Sequence, residues 1–324
     1  MINFIYRNPG RAFSIENVFD TVFEEVSCLS PAKKTFMTRH RANALSITRN
    51  IATARNSQSQ VNHVVGDVHY VMLGLADENR NILTIHDIGI LDTLDGWKRE
   101  VARRLWFTLP MKKAKYVTAI SGKTAQDLIR LCPAVEPKIH VIHNPVSRYF
   151  KYHPKPRLEP KPRVLHIGTK PNKNLRRVIA AMDGLDVLLV IIGALADEDK
   201  RLLSKSNVDH INLVGLTSGQ VIEQYVACDI VLFPSLYEGF GLPIVEGNAI
   251  GRPVITSNLE PMKEVAGDAA IFLNPTSVFE IREAIVAVCS DNDLRGHLVE
   301  NGLRNQQRFQ PSKIAADYMK LYQT

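Results

Sequence analysis

The stretch FPSLYEGFGLPIVEGNAIGRP, residues 233–253, decides how this chain is read. It closes an apolar run, CDIVLFPS, that has the character of a buried strand. A glycine-containing turn carrying Glu238 follows, and then a helix that starts near Pro243 and holds Glu246 in its first turns. Gly239 and Gly241 permit positive φ and close backbone approach, and proline suits a first helical position. A strand end, a glycine turn and a helix N-terminus aim unpaired N–H groups and the positive end of a dipole at one point, which suits an anion such as phosphate.

Around that stretch the chain reads as a soluble globular protein too long for one ordinary core. It has 324 residues, 45% of them hydrophobic and 23% charged, which suits two domains. The four cysteines, Cys28, Cys132, Cys228 and Cys289, are scattered. They form no metal-ligand spacing, so a reducing, cytoplasmic setting is expected. The apolar run in MINFIYRNPGRAF is too short for a signal peptide, and no run reaches the length of a membrane span. The net charge of +7 is uneven: residues 1–150 hold 20 Lys and Arg against 13 Asp and Glu, whereas residues 151–324 hold 20 of each.

Two series of β-rich runs alternate with helical patterns, which predicts parallel sheets in an α/β fold. The first series is 2–6, 34–38, 61–66, 81–87, 116–121 and 138–144; the second is 163–168, 187–193, 210–215, 229–235, 253–257 and 270–274. Between them KYHPKPRLEPKPR, residues 151–163, holds four prolines and reads as a semi-rigid extended linker. The expected division is an N-terminal domain over 1–150, this linker, a C-terminal domain over 164–305, and a last helix over 306–324 that crosses back to the first domain. In residues 276–324, Phe279, Ile281, Ile285, Val286 and Val288 read as one core-facing stripe.

Ligands of parallel α/β sheets bind at the carboxyl ends of the strands. His86 and Asp87 fall there, as a substrate contact or as a capping pair. Ser121 reads first as an N-cap and Asn144-Pro145 first as a turn. Gly168, Gly193 and Gly215 each end an apolar run, where a glycine admits a ligand to the backbone. Lys173 lies just before a helix, within reach of a diphosphate or simply in solvent. Neither GxGxxG nor GxxxxGK[ST] occurs, so dinucleotide binding and nucleoside triphosphate hydrolysis are not indicated. In residues 97–116, seven cations interleave with Trp97, Trp106, Phe107 and Leu109. One amphipathic helix there fits an anionic bilayer surface, or a solvated helix with its apolar side inward. Nucleic acid is not expected, since no recognised module accompanies the patch.

The order GTxxxKN (168–174), PSxxEGFGLPxxE (234–246), GRPVITSN (251–258) and KEVAGDAAIFLNP (263–275) resembles the C-terminal domain of family-4 retaining glycosyltransferases of the GT-B fold. The likeness covers residues 163–290 and continues more loosely into the first half through the HD, AIS and NPV segments. It implies two Rossmann-like domains facing across a cleft, and transfer of a sugar from a nucleoside-diphosphate donor to a lipid-linked or polysaccharide acceptor. No cofactor beyond that donor and no metal is implied. Glu238 would lie beside the donor sugar, with the backbone of Gly239, Phe240, Gly241 and Leu242 facing sugar and diphosphate. Glu246 would hold the ribose, Lys173 would neutralise the leaving diphosphate, His86 would bond the sugar, and Leu216 would frame the base. Gly168 and Thr169 would line the diphosphate. Thr169 stands where relatives place Arg, which leaves Lys170 or Arg176 to supply a second charge. Gly247 stands inside the helix where alanine is common, and Asn8-Pro9-Gly10-Arg11 replaces a Gly-Gly loop. A GT-B epimerase, or a catalytically weak GT-B partner subunit, is the alternative reading.

Overall fold

The computed structural model describes residues 1–8, 14–39, 43–76 and 80–323. Pro9, Gly10 and Arg11, and the side chains of Ser14 and Ile15, lie outside the described residues. The chain divides into two compact units, one of residues 1–147 with 310–324 and one of residues 148–309.

The first unit holds strands β1 (Ile2–Tyr6), β2 (Ala32–Phe36), β3 (Val61–Val64), β4 (Asn81–Ile85), β5 (Tyr116–Ala119) and β6 (Ile139–Val141). Its helices are α1 (Ser14–Leu29), α2 (Ala44–Asn56), α3 (Gly96–Ala102), α4 (Leu109–Lys113) and α5 (Gly122–Leu131). The strands pair in parallel in the order β2-β1-β3-β4-β5-β6. The second unit holds β7 (Arg163–Ile167), β8 (Leu188–Ile192), β9 (His210–Leu213), β10 (Ile230–Phe233), β11 (Val254–Ser257) and β12 (Ile271–Leu273). Its helices are α6 (Leu175–Met182), α7 (Asp197–Lys205), α8 (Ser218–Ala227), α9 (Leu242–Ile250), α10 (Met262–Ala266), α11 (Val278–Ser290) and α12 (Asn292–Asn305). This second sheet is also parallel, in the order β12-β11-β10-β7-β8-β9. Strand order reverses between β1 and β3 in the first sheet and between β7 and β10 in the second. Crevices that bind ligands open at such switch points.

The apolar runs located all twelve strands, with differences at the sheet edges. β2 covers 32–36 rather than 34–38, because it pairs with β1 on one side only and its alternation is weak. β9 lies on the other sheet's edge and is mostly exposed, not buried on both faces. On α11 the buried stripe is Ile281, Ile285 and Val288, at i, i+4 and i+7, whereas Phe279 and Val286 point to solvent.

Residues 97–116 depart further from expectation, because they are not one helix. α3 gives way to a π-helical stretch over Arg103–Thr108 before α4 resumes. Pro110 has no N–H to offer the carbonyl of Trp106 four residues back. That carbonyl lies 2.8 Å from Nδ1 of buried His69. A carbonyl only accepts, so Nδ1 carries the proton and replaces the missing donor. The wider turn is thus held by a side chain from outside the helix.

The proline-rich segment has no regular structure over 151–162, passes into β7 at Arg163, and is fastened to the second unit. Buried Asp229 accepts the N–H groups of Glu159 (3.2 Å) and Arg163 (2.8 Å) and pairs with Lys155 at 2.9 Å. Arg252, 2% exposed, donates to the carbonyls of His153 and Val226, both at 2.7 Å.

The last helix, α13 (Pro311–Gln323), belongs to the first unit and closes its core through a polar chain. His63, in central strand β3, lies 2.6 Å from Tyr322 Oη and 2.7 Å from Thr84 Oγ1, which is 2.6 Å from Thr118 Oγ1. Burial pushes His63 down to about 3 and His69 and His166 down to about 4; His86 is lowered too, again by burial first. All four imidazoles are neutral near pH 7, and the unfolded chain takes up protons that the fold refuses. Their contribution to stability is present above about pH 6.5, the ordinary value, and is lost as pH falls toward the depressed values. Urea midpoints should therefore fall steadily from pH 7 to pH 4. Tyr322→Phe, which leaves a buried ring nitrogen unpaired, should cost about 1–3 kcal/mol in the same measurement at pH 7.

Candidate active site

The switch point of the second sheet lies between β7 and β10, and the loops after both strands meet there. β7 ends at Gly168, φ +93°. A Cβ at that position would stand 2.9 Å from Cγ of Lys173, so the glycine makes room for the lysine stem. Residues Pro171–Lys173 form one 3-10 turn, and Asn174 adopts the left-handed conformation (φ 67°) before α6. Buried Asn174 fixes that turn by donating Nδ2 to the carbonyls of Pro234 (3.0 Å) and Pro275 (2.6 Å). Lys173 is thereby aimed back over β10. Its Nζ lies 4.8 Å from the Phe233 ring centroid and donates to Glu238 Oε1 at 2.6 Å.

Glu238 is thus held from the β7 side. Asn172 Nδ2 donates to the Tyr237 carbonyl at 2.9 Å and to Glu238 Oε1 at 3.3 Å, and the Asn172 carbonyl accepts the Leu236 N–H at 2.8 Å. Both charged side chains are mostly covered, 19% exposed for Lys173 and 14% for Glu238. Beyond Glu238, Gly241 (φ +108°) precedes α9 and caps it without a side chain. The helix start therefore has no capping side chain over its positive end. Phe240 turns inward, 3% exposed, with its ring edge-on to Phe309 at 5.6 Å; only its backbone faces the turn. Leu242 is partly buried at the helix start.

Glu246, one turn into α9, accepts a short hydrogen bond from the Tyr225 hydroxyl. Burial pushes its carboxyl up to about 7, while Tyr225 and Lys173 pull the other way. The Tyr225 phenol is itself raised well above its usual range, first by burial, so it remains a donor.

Other residues are placed less directly. Thr169 gives its hydroxyl to the Ala194 carbonyl at 2.6 Å, tying the β7 loop to the β8 loop. Arg176 is taken by Glu198 (2.6 Å) and Asp199 (3.2 Å) of α7, whereas Lys170 is exposed beside Gly168. Of the two, Lys170 is the residue open to a second anionic charge. Leu216, partly buried, follows Gly215 beyond edge strand β9 and precedes the Thr217 capping box of α8.

In the first unit, His86 follows β4. Its Nε2 lies 3.1 Å from the Val65 carbonyl, and its ring stands edge-on to Phe19 at 5.6 Å. Nε2 must be the protonated nitrogen, which leaves Nδ1 as an acceptor. Asp87 caps the next turn through the Gly89 N–H at 2.8 Å, and Ser121 caps α5 through the Thr124 N–H at 3.1 Å. Asn144 is buried. Sequence reasoning missed the groups at the β1/β3 switch point, where Arg7 bonds both oxygens of Glu16 (2.5 and 2.9 Å) and one of Asp67 (3.1 Å). It also assigned no role to Asn172, Asn174 or Tyr225, although the first two lie inside the quoted motif.

Residues 150–305 match the family model of glycosyl transferases group 1. The chain is 27% identical over 255 residues to O-antigen chain mannosyltransferase B of Escherichia coli, covering 71% of this chain and 66% of the relative. It is 29% identical over 173 residues to the phosphatidyl-myo-inositol mannosyltransferase of Mycobacterium leprae, covering 50% of this chain and 46% of that protein. The chain thus spans from under half to about two thirds of these relatives' own length. Its fold is similar to that of sucrose-phosphate synthase from Thermosynechococcus elongatus, with a TM-score of 0.80 at 16% identity over 99% of this chain and 98% of that one. The architecture is GT-B, two Rossmann-like parallel-sheet units.

The Glu246 carboxyl gives a measurable signature. An acid raised by burial stabilises the fold below about pH 4.5 and loses that contribution as pH rises to about 7. Glu246→Gln should accordingly melt above the parent protein at pH 8 and level with it at pH 4.5. A vicinal diol bonding the ionised carboxylate should lower its pKa. Calorimetric titration of a nucleoside diphosphate in buffers of different ionisation enthalpy should then report proton release at pH 7, absent in Glu246→Gln.

Proposed function

We propose that the protein is a retaining glycosyltransferase using a nucleoside-diphosphate sugar, a reading supported by the match of residues 150–305 to the family model of glycosyl transferases group 1. The observation that carries the reading is the Lys173–Glu238 pair, 2.6 Å apart across the β7/β10 switch point and next to the start of α9. A lysine and a helix N-terminus suit a leaving diphosphate, and a carboxylate beside them suits a sugar ring that gains positive charge.

On this reading the pair is a resting arrangement. A diphosphate carries more charge than one carboxylate and draws the Lys173 ammonium to itself. Glu238, relieved of its cation but still held by Asn172, turns to the sugar hydroxyls. Glu246 accepts from the ribose diol, and Leu216 borders the base. Thr169 lines the diphosphate through its backbone, since its hydroxyl is engaged, and exposed Lys170 contributes the second charge. The names of the relatives favour a mannosyl donor and assembly of a surface glycan on a lipid-linked or polysaccharide acceptor.

The same reading gives residues 96–113 a role. The exposed faces of α3, the π-helical stretch and the start of α4 carry Lys98, Arg99 and Arg104 beside Trp97 (73% exposed), Val101 and Leu109. Cations beside apolar side chains suit an anionic bilayer surface, each near-surface cation adding about 1 kcal/mol. A peripheral protein at the inner face of the membrane follows from that, and no helix among the described residues is long and apolar enough to cross one.

Turnover of GDP-mannose against UDP- and ADP-sugars tests the activity. Lys173→Ala and Glu238→Gln should each lower kcat on the order of 10²-fold or more, with unchanged far-UV spectra. Parent-like rates in both variants would remove the assignment. Sedimentation with vesicles containing phosphatidylglycerol at physiological salt should carry the chain down, and Trp97→Ala with Arg99→Glu should leave it in the supernatant. A parent chain that never sediments sinks the membrane role alone.

A further inference from the structure

We propose that the amino-terminal edge of the second sheet, opposite Lys173, carries a binding site for a small phosphate-bearing anion. A cavity of about 910 Å3 opens there between the proline-rich segment, the starts of β7 and β8, and the end of α8. Its charged lining is Lys155, Lys161, Arg163 and Arg252 with Glu159 and Glu223.

Most of these charges have a structural occupation. Lys155 covers the Ala227 carbonyl at the end of α8 and pairs with Asp229, while Lys161 pairs with Asp209. Arg252 spends both terminal nitrogens on backbone carbonyls, that of Val226 in α8 among them. The carbonyls of Val226 and Ala227, which would repel an anion, are thereby masked by cations.

The Arg163 side chain is the cation left without such an occupation. The Arg163 guanidinium makes no hydrogen bond or ion pair to any described residue, and its Nε is buried. Arg252, buried to all but 2%, also has a buried Nε without a partner and no carboxylate within ion-pair distance among the described residues. Two buried guanidinium nitrogens left unbonded in residues that line one cavity are uncommon, since each costs about 1–3 kcal/mol or more. Arg163, which has no ion-pair partner, and Arg252, whose partners are all carbonyls, present positive charge to a phosphate monoester, which carries about −1.5 to −2 at pH 7, against the exposed carboxylates of Glu159 and Glu223 on the same lining. The fork of Arg163 suits two phosphate oxygens. The cavity could hold a molecule larger than phosphate itself, a sugar phosphate for example.

The donor site also binds phosphates, so the test uses the full chain carrying Lys173→Ala. Inorganic phosphate and glucose 1-phosphate are titrated by calorimetry and by thermal melting. Saturable binding should survive Lys173→Ala, weaken about tenfold or more on adding Arg163→Gln, and weaken by a few-fold with Arg163→Lys, which keeps the charge but loses the fork. Arg163→Gln alone should leave donor turnover unchanged in phosphate-free buffer. Absence of saturable binding, its loss with Lys173→Ala alone, or equal affinity in the Arg163 variants would each overturn the proposal. Should Arg163→Gln fail to fold by near-UV spectroscopy, Arg163→Lys decides. None of the binding outcomes depends on whether the chain transfers a sugar.

Discussion

The Lys173–Glu238 ion pair is the contact on which the geometry at the carboxyl edge of the second unit's sheet depends. It joins two loops that follow strands adjacent in the sheet but 65 residues apart in sequence. Glycine at 168 leaves space for the lysine stem, a left-handed Asn174 turns the chain, and Asn172 grips the Glu238 loop from beneath. An ion pair this well covered draws more from its attraction than a solvent-exposed one, and removing one partner strands the other. The loop before α9 is therefore set by electrostatics across the switch point as much as by its own turn residues.

The two units solve their interiors differently. In the second, an apolar core around Val164, Leu189, Leu232 and Ile255 carries the sheet, and polar groups gather at its two edges. In the first, a polar chain through His63, Thr84 and Thr118 runs across the central strands and ends on two tyrosines of α13. Such a chain stabilises only when every member finds a partner, and it specifies one seat for the helix. Neutral imidazoles are the consequence, because a charged ring there would lack both water and a counterion.

Strand positions were legible because strands buried on both faces read as short apolar runs bounded by turn residues. Edge strands blurred, as β2 and β9 show, because one side of each lacks a neighbour to enforce the pattern. Glu238, Glu246 and Lys173 were legible as types in an order, but the pairing of Lys173 with Glu238 was not, since nothing local connects position 173 with 238. The break at 103–108 was half visible: Pro110 announces a missing donor, whereas the substitute, His69, lies some forty residues earlier. Arg252 gave no sign of burial, because its partners are backbone carbonyls, which every residue has.

The first unit is discontinuous: it uses residues 1–147, leaves the chain for the whole of 148–309, and is completed by 310–324. On a ribosome the second unit is therefore synthesised entire before Tyr318 and Tyr322 have been made. Domains ordinarily mature in the order of their synthesis. Here that order is inverted, because the half translated first keeps an open seam beside His63 until the final helix arrives.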